Sequence, residues 1–592
     1  MENLRRQQLY DALSSRILII DGAMGTMLQA YNPSAEDYLG ASRENLNEIL
    51  VKTRPEWVQA VHRAYLEAGA DIIETDSFQG SPIVLAEYDL EDQAFELNRL
   101  AAKVARDEAD KFSTAAKPRF VAGSMGPTTK SITLRGDVTF EQMAESYYIQ
   151  AKGLIAGGAD ILLIETAFDT RNIKSAAFAV KRLERELGQR IPLMISGTIE
   201  RIGTMLAGQT ADSFYASVAH ADLLSVGLNC ATGPDLMTDH IRTIAQMSNT
   251  RVSCYPNAGL PNEEDKYLET PESLASQLAK FVEHGWLNIV GGCCGTTPAH
   301  IKAIADMAAG HKPRPVPSPS HKTYFSGIEL VEAEDSNRPL IVGERTNVIG
   351  SRLFKQMIAE EKWEEASEIA RWQVKNGAHI IDVCLQSSDR EELKDIDPFY
   401  AKLMPKIKVP VMIDTTDPKA VEHALTWCQG KSIVNSINLE DGEEKFEKMC
   451  PIAKAYGAAL VVGTIDEDKQ QAQAFTRERK LEVAQRSVKL LTEKYGIPLE
   501  DIIIDPLVFP CATGDENYIG GAVETIEGVR LVKEKLPYVK TVLGVSNISF
   551  GLPANAREVV NSVFLYYATK AGLDLAIVNA EKLERFASIP VE

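Results

Sequence analysis

Two cysteines stand side by side in "VGGCCGTTP" (290–298), and a third, Cys230, closes "LLSVGLNCA" (223–231). Thiolates are soft ligands that suit zinc or copper(I) better than magnesium or calcium, and of the two zinc is redox-silent. Structural zinc takes four protein ligands, whereas catalytic zinc keeps one position for water or substrate. Three cysteines, Cys230, Cys293 and Cys294, therefore point to zinc that holds a substrate in its fourth position. A free thiol has a pKa of about 8.5, whereas coordination deprotonates it outright, so such a centre would make a thiol substrate nucleophilic. The alternative is that the paired cysteines are small residues packing the end of a barrel.

Carboxylates accompany the cysteines. Asp21 in "DGAMGT", Glu74 in "ETDSF" and Glu165 in "IETAFD" could accept hydrogen bonds from an α-amino group, or could simply cap helices. Later in the chain the cysteines give way to Asp382, Asp414, Asn435, Asp505, Asn547 and Asn579, each at the end of an apolar run. Such groups suit a flat polar heterocycle, because a carboxylate accepts paired donors from an aminopyrimidine and an asparagine amide both donates and accepts. Any one of them could be a loop cap. As a set they read as a pocket.

Strands must bring these residues together. Short apolar runs separated by amphipathic helical stretches recur at 17–26, 70–78, 119–127, 159–167, 192–200, 223–231, 252–259 and 287–295. Runs ending in polar or glycine residues are what parallel strands covered on both faces look like, and eight βα units close a barrel. A segment such as "PEWVQAVHRAYLEAG" (55–69) supplies an intervening helix that Gly69 ends. "GHKPRPVPSPSHK" then reads as a semi-rigid linker. A second series of eight follows at 339–347, 378–384, 410–416, 432–438, 459–466, 502–508, 541–550 and 574–580. The expected fold class is α/β: two tandem (β/α)8 TIM barrels, residues 1–310 and 331–592, joined by a Pro-rich linker at 311–330. An open doubly wound sheet is disfavoured, because no Gly-rich dinucleotide fingerprint follows a first strand.

In barrel enzymes the active site lies at the C-terminal ends of the strands, so all of these residues reach one rim or the other. Neighbours on a regular strand point to opposite faces, so Cys293 and Cys294 can serve one ion only if the chain leaves strand geometry after Val290. Gly291, Gly292 and Gly295 are expected to permit that departure.

Composition narrows the partners. With 83 acidic and 63 basic residues the net charge is -20, which disfavours nucleic acid and anionic membrane. No apolar run spans a bilayer and the start carries no signal-peptide core, so a soluble, cytoplasmic protein is expected. Eight cysteines in such a chain argue against a disulfide framework, and Cys254, Cys428, Cys450 and Cys511 are expected to be plain packing.

The motifs "DGAMGT", "ETDSF", "GLNC" and "GGCCGTTP" together resemble the zinc-dependent homocysteine S-methyltransferases over residues 10–310. That resemblance implies zinc on Cys230, Cys293 and Cys294, homocysteine sulfur in the fourth position, and Asp21 and Glu165 holding the amino acid. "VGERTNVIGS", "DTTDPKAV", "IVNSI" and "GVSNISFGLP" look like the pterin-binding domain of the cobalamin-dependent methionine synthases, itself similar to dihydropteroate synthases. This second resemblance implies a 5-methyltetrahydrofolate site, with Asp414, Asn435 and Asp505 on the pterin and Asn547 near N5. Arg345, Asn347, Asp382 and Asn579 join the folate-binding set. Where that family commonly has Asp-x-Asn, this chain has Asp382-Val383-Cys384, and a cysteine cannot replace both the donor and the acceptor of an amide, which leaves the role of position 384 open.

The order of the two domains resembles the N-terminal half of that family. The implied reaction is methyl transfer from 5-methyltetrahydrofolate, through cobalamin as methylcobalamin, to L-homocysteine. No Asp-x-His-x-x-Gly segment is present to bind the corrinoid, so the expectation is a cut-down chain or a separate corrinoid protein. Two other readings stand: direct methylation from betaine or S-methylmethionine, and a non-catalytic folate or zinc binding module.

Overall fold

The computed structural model describes residues 2–262, 267–583, 586 and 589, with side chains from Leu4 onward. The chain divides into two units, Met1–Ser320 and His321–Glu592. In the first, eight parallel strands alternate with helices: β1 (Leu18–Ile19), β2 (Ile72–Glu74), β3 (Phe120–Met125), β4 (Ile161–Ala167), β5 (Leu193–Gly197), β6 (Ser225–Asn229), β7 (Arg251–Tyr255) and β8 (Ile289–Val290). From β2 to β8 each strand pairs with the next, and β8 pairs with β1. Between β1 and β2 the seam closes through a parallel bridge from Ile20 to Ile72. Asp71 N donates to Ile19 O at 2.7 Å and Asp21 N to Ile72 O at 3.0 Å. Seven of the eight predicted runs contain one of these strands, and the run 252–259 holds all of β7 but its first residue, Arg251.

The helices form for local reasons. In Pro55–Ala68, proline opens the first turn, where no N–H is needed, and Val58, Val61, Tyr65 and Leu66 recur on the buried face. Gly69 ends it at φ 111°, a left-handed position that a side chain would disfavour. Burying each such large apolar side chain stabilises the fold by about 1.5–3 kcal/mol before entropy is counted.

Inside the first barrel Ile20, Ile72, Phe120, Ala122, Ile161, Leu163, Met194 and Ile289 form one buried cluster with Leu9, Ala12 and Leu13 of the first helix, Glu2–Ser15. That helix is tied to the N-terminal end of the strands. Arg5 meets Asp160 at 2.7 Å just before β4, and Arg16 meets Asp71 at 2.8 Å just before β2.

The second unit opens with an antiparallel pair, β9 (Tyr324–Ser326) and β10 (Leu330–Glu332). A closed barrel follows: β11 (Leu340–Asn347), β12 (Ile380–Cys384), β13 (Val411–Asp414), β14 (Ile433–Ile437), β15 (Ala459–Gly463), β16 (Ile502–Asp505), β17 (Lys540–Gly544) and β18 (Leu575–Val578). Phe325 of β9 is wholly buried in one cluster with Leu340, Ile380, Met412, Ile433 and Ile503. Ser326 N bonds Lys431 O and Glu329 N bonds Lys408 O, each at 3.0 Å, in the loops that precede β14 and β13. Each barrel is thus stoppered at the N-terminal end of its strands, by a helix in one and a strand pair in the other. Their mouths are the C-terminal ends.

The stretch 311–330, expected as a linker, is divided between the units. Arg314 donates to the carbonyls of Ala245, Ser248 and Thr250 at 2.6 to 2.8 Å, and Thr323 donates to Glu500 O at 2.7 Å. Proline removes ladder donors from such a segment but does not stop the side chains around it from docking. Among the described residues no helix is long and apolar enough to cross a membrane.

Candidate active sites

At the first mouth the three predicted cysteines converge. Their sulfurs all lie within 4.8 Å of one another, with Cys230 Sγ 3.8 Å from Cys294 Sγ. A zinc–sulfur bond of about 2.3 Å places tetrahedral sulfurs about 3.8 Å apart, so the donor set fits zinc in both softness and spacing. Hydrogen bonding from Cys230 and then Cys293 pulls the Cys294 thiol down to about 3, while the bond with Cys230 pushes Cys293 well up. Thiolates gathered this closely repel one another, and a bound cation would let all three ionise.

Backbone geometry aims them. Cys230 and Ala231 follow β6 in left-handed conformation, φ 58° and 54°, which turns the chain out of the strand and costs on the order of 1–3 kcal/mol per residue. The chain leaves strand geometry after Val290, as expected, but the glycines serve two different needs. Gly295 has φ +76°, whereas a Cβ on Gly291 would sit 2.3 Å from Ile20 O, so that glycine is required by close approach to β1. Asn257 Oδ1 accepts from Cys294 N at 3.1 Å, and Thr296 Oγ1 donates to Cys293 O at 2.6 Å.

Asp21, Glu74 and Glu165 gather beside this cluster. Asp21 Oδ2 accepts from Glu74 N at 3.0 Å, and Asp21 Oδ1 is buried with no partner among the described residues. Burial raises all three carboxyls, Glu165 to about 6, and the charges of Glu165 and Asp21 raise Glu74 further. Ser124 donates to Glu165 Oε1 and Tyr255 to Oε2, the latter at 3.3 Å. Asp21 and Glu165 are buried and Glu74 is half-buried, with no salt bridge to any of them among the described residues, so the group has the charge and shelter to suit a small cation.

Asn229 was missed from sequence. Its Oδ1 accepts from Thr166 N at 3.0 Å and Ser196 Oγ at 2.7 Å, and its Nδ2 donates to Thr166 Oγ1 at 2.7 Å. Thr166 occupies a left-handed position at a register shift in β4, next to Glu165. The quoted "GLNC" held the signal, since a buried amide just before a ligand needs partners.

At the second mouth Asn347 is the hub. Its Nδ2 donates to Asp382 Oδ2 and to Asp414 Oδ2, both at 3.0 Å, and its Oδ1 accepts from Ile349 N and Gly350 N. Asn435 hydrogen-bonds Asp382, and its register partner is Asp414. Burial raises Asp382 strongly, with the Asp414 charge adding to it, and burial raises Asp414 and Asp505 to about 6. Asp505 ends β16 and accepts from Leu507 N at 2.8 Å.

The remaining residues are differently engaged. Asn547 lies exposed on the short helix Val545–Ser549. Arg345 donates to Gly350 O at 3.1 Å and braces the loop after β11. Asn579 caps the turn Ala580–Lys582 through Glu581 N at 3.2 Å. Cys384 is buried at the end of β12, and burial pushes its thiol up. Cys254, Cys428 and Cys450 are buried as expected, whereas Cys511 is exposed, because it lies in the loop beyond β16 where no core covers it.

Glu344 was also missed. Ser546 Oγ donates to it at 2.8 Å, burial raises it, and its charge bears on Asp382. Strict strand alternation would set Glu344 and Asn347 on opposite faces. A register shift between Gly343 and Thr346 lets both act on Asp382.

Residues 18–308 match the homocysteine S-methyltransferase family, and residues 343–579 match the pterin binding enzyme family. The chain joins a homocysteine S-methyltransferase domain to a pterin-binding domain. The pair and their order are consistent with the N-terminal half of methionine synthase. The methyltransferase domain is similar to the homocysteine methyltransferase MmuM from Escherichia coli in its metallated form, at 25% identity over 51% of this chain and 98% of that one, with a TM-score of 0.41. The pterin-binding domain is similar to dihydropteroate synthases from Stenotrophomonas maltophilia (16% identity, 42% and 89% covered, TM-score 0.31) and Xanthomonas albilineans (14%, 44% and 94%, 0.34).

Proposed function

We propose that this chain carries the two substrate-activating halves of a folate-dependent methionine synthesis. L-Homocysteine binds at the first mouth and 5-methyltetrahydrofolate at the second, and the methyl group travels between them on a corrinoid borne by another domain or protein. The observation that carries this reading is the three-sulfur cluster with the carboxyls of Asp21, Glu74 and Glu165 beside it, in one chain with an Asp/Asn pocket.

Zinc held by Cys230, Cys293 and Cys294 would supply the Lewis acidity that keeps a substrate thiol ionised at neutral pH. The chain's own residues do the rest. Asp21, Glu74 and Glu165 receive the α-ammonium, whose charge offsets their mutual repulsion. Ser124 and Tyr255 hold Glu165 to that task.

In the pterin-binding domain Asp414, Asn435 and Asp505 accept and donate along the edge of the heterocycle. A methyl on a tertiary amine is a poor electrophile, so protonation at N5 must improve the leaving group. An amide is not an acid of useful strength, so Asn547 orients N5 and does not supply the proton.

The test is the visible spectrum of methylcobalamin mixed with L-homocysteine and the protein, before and after zinc removal and restoration. Zinc-dependent loss of the methylcobalamin bands is expected. No change with zinc bound, together with methionine formed from betaine or S-methylmethionine, would replace the corrinoid route with a direct one.

A further inference from the structure

Lys480 is wholly buried in the pterin-binding domain, on the helix Arg477–Lys489 that follows β15. Its ammonium has three protons and three backbone carbonyls to receive them: Ala474 O at 2.9 Å, Leu507 O at 3.5 Å, and Pro506 O. The Phe509 ring lies below it, 5.0 Å from Nζ to the ring centre. A neutral amine could donate only two of those bonds, so the surroundings are built for the charged form.

The carbonyls of Pro506 and Leu507 belong to the turn that holds Asp505. Leu507 takes a left-handed backbone, φ 69°, and its N–H donates to Asp505 Oδ1 at 2.8 Å. Thr525 Oγ1 donates to the same Leu507 carbonyl at 2.9 Å. Room for the lysine comes from Gly528, in the middle of the helix Gly521–Lys535. A Cβ there would lie 2.7 Å from Lys480 Cδ. Glycine inside a helix is unfavourable relative to alanine, so the space it leaves is a structural requirement of the lysine.

We propose that Lys480 is the positioning residue of the pterin site: its ammonium pins the Pro506–Leu507 turn that orients the Asp505 carboxylate, and its charge keeps that carboxylate ionised to accept from an N–H-rich heterocycle. This rests on the reading of the second mouth as a folate site. Two carboxylates act on Lys480, Asp505 from β16 and Glu524 from the helix Gly521–Lys535. Glu524 is held chiefly by Arg477, at 2.7 Å, with Lys480 adding to it, whereas for Asp505 the neighbouring charge is that of Lys480. Burial pushes Asp505 up to about 6, against the Leu507 N–H and the Lys480 charge; burial brings Lys480 down to about 8, so at neutral pH both are charged.

The experiment titrates the full chain with 5-methyltetrahydrofolate between pH 5 and 8, for wild type, K480M and K480R. K480M is expected to weaken binding about tenfold or more at pH 7, as removal of a buried charged donor does, and to move the acid midpoint of binding upward by about one pH unit. K480R keeps the charge and is expected to keep the wild-type midpoint even where its affinity falls. Zinc-dependent homocysteine methylation from methylcobalamin, a property of the other unit, should be unchanged in all. A purely structural lysine would lower the melting temperature of K480M and leave the midpoint in place, and that result overturns the proposal. Should K480M fail to fold, G528A crowds the same stem without removing charge, and wild-type affinity in G528A overturns it equally. A wild-type chain that binds no folate removes the underlying reading. Folate binding by wild type with an unaltered K480M removes this inference alone.

Discussion

The carboxamide nitrogen of Asn229 lies 3.8 Å from Cys293 Sγ. The same side chain holds Thr166, the neighbour of Glu165, and it immediately precedes Cys230. One amide therefore links the carboxyl group to two of the three sulfurs. Groups that orient metal ligands commonly contribute a factor of about 10–100 in affinity. Asn229→Ala is expected to weaken zinc by about that factor in competition with a chelator. Folate binding by the other unit should not change. Unaltered zinc affinity would show that the cysteines are aimed by their backbone alone.

Asn547→Ala separates the two half-reactions. Its side chain is exposed at the second mouth, so truncation should leave the unfolding free energy within about 0.5 kcal/mol of wild type. Folate demethylation by cob(I)alamin should slow by about 10- to 100-fold, with homocysteine methylation spared. Equal loss of both would remove Asn547 from the folate site.

The pH dependence of the ligand-free second unit has a definite sign. Asp414 has a folded-state pKa of about 6 against an ordinary value near 3.8, through burial. Between those two values the native state binds more protons than the unfolded chain, so stability falls as pH rises from 4 to 6 and the full penalty stands above 6. At pH 7 that penalty is about 3 kcal/mol as an upper figure. Asp414→Asn should therefore raise the urea midpoint of this unit at pH 7 and leave it close to wild type at pH 4. A variant that is less stable at pH 7 would mean that the carboxylate is a net stabiliser.

Phe325 tests the stopper of the second barrel. Its ring is wholly buried among the first inward residues of the strands, and Phe325→Ala is expected to cost about 3–5 kcal/mol. Urea unfolding should show the second unit's transition shifted to lower denaturant and the first unit's unmoved. A small effect would mean that β9 and β10 dock on a barrel already closed without them.

Much of this was legible in one dimension because each barrel repeats a strong local code. Apolar runs such as "ADILLIETA" announce buried parallel strands, and Cys230, Cys293, Cys294 and Asp414 stand where runs end, which is the mouth of any such barrel. The two stoppers were not legible. Glu2–Ser15 is polar along much of its length, and Thr323 to Glu332 lies in or beside a segment whose prolines suggest a linker. Their apolar residues, Leu9, Leu13 and Phe325, are too few to signal an element until a barrel end is there to receive them.

The sequence by itself determined the eightfold repeats, the residue types at the strand ends, and so the two kinds of chemistry available. It did so because hydrophobic period and ligand softness are properties of residues, independent of where the chain goes. Which of those residues share a cavity was decided only in three dimensions. Bulges at Thr166 and between Gly343 and Thr346, left-handed turns at Cys230 and Leu507, and the close approach of Gly291 to Ile20 each rotate side chains by amounts that strand alternation does not contain. Those departures persist because contacts distant in sequence hold them: Asn229 to Thr166, Asn347 to Asp414, Lys480 to Pro506. Such contacts come into existence only once the barrel has closed.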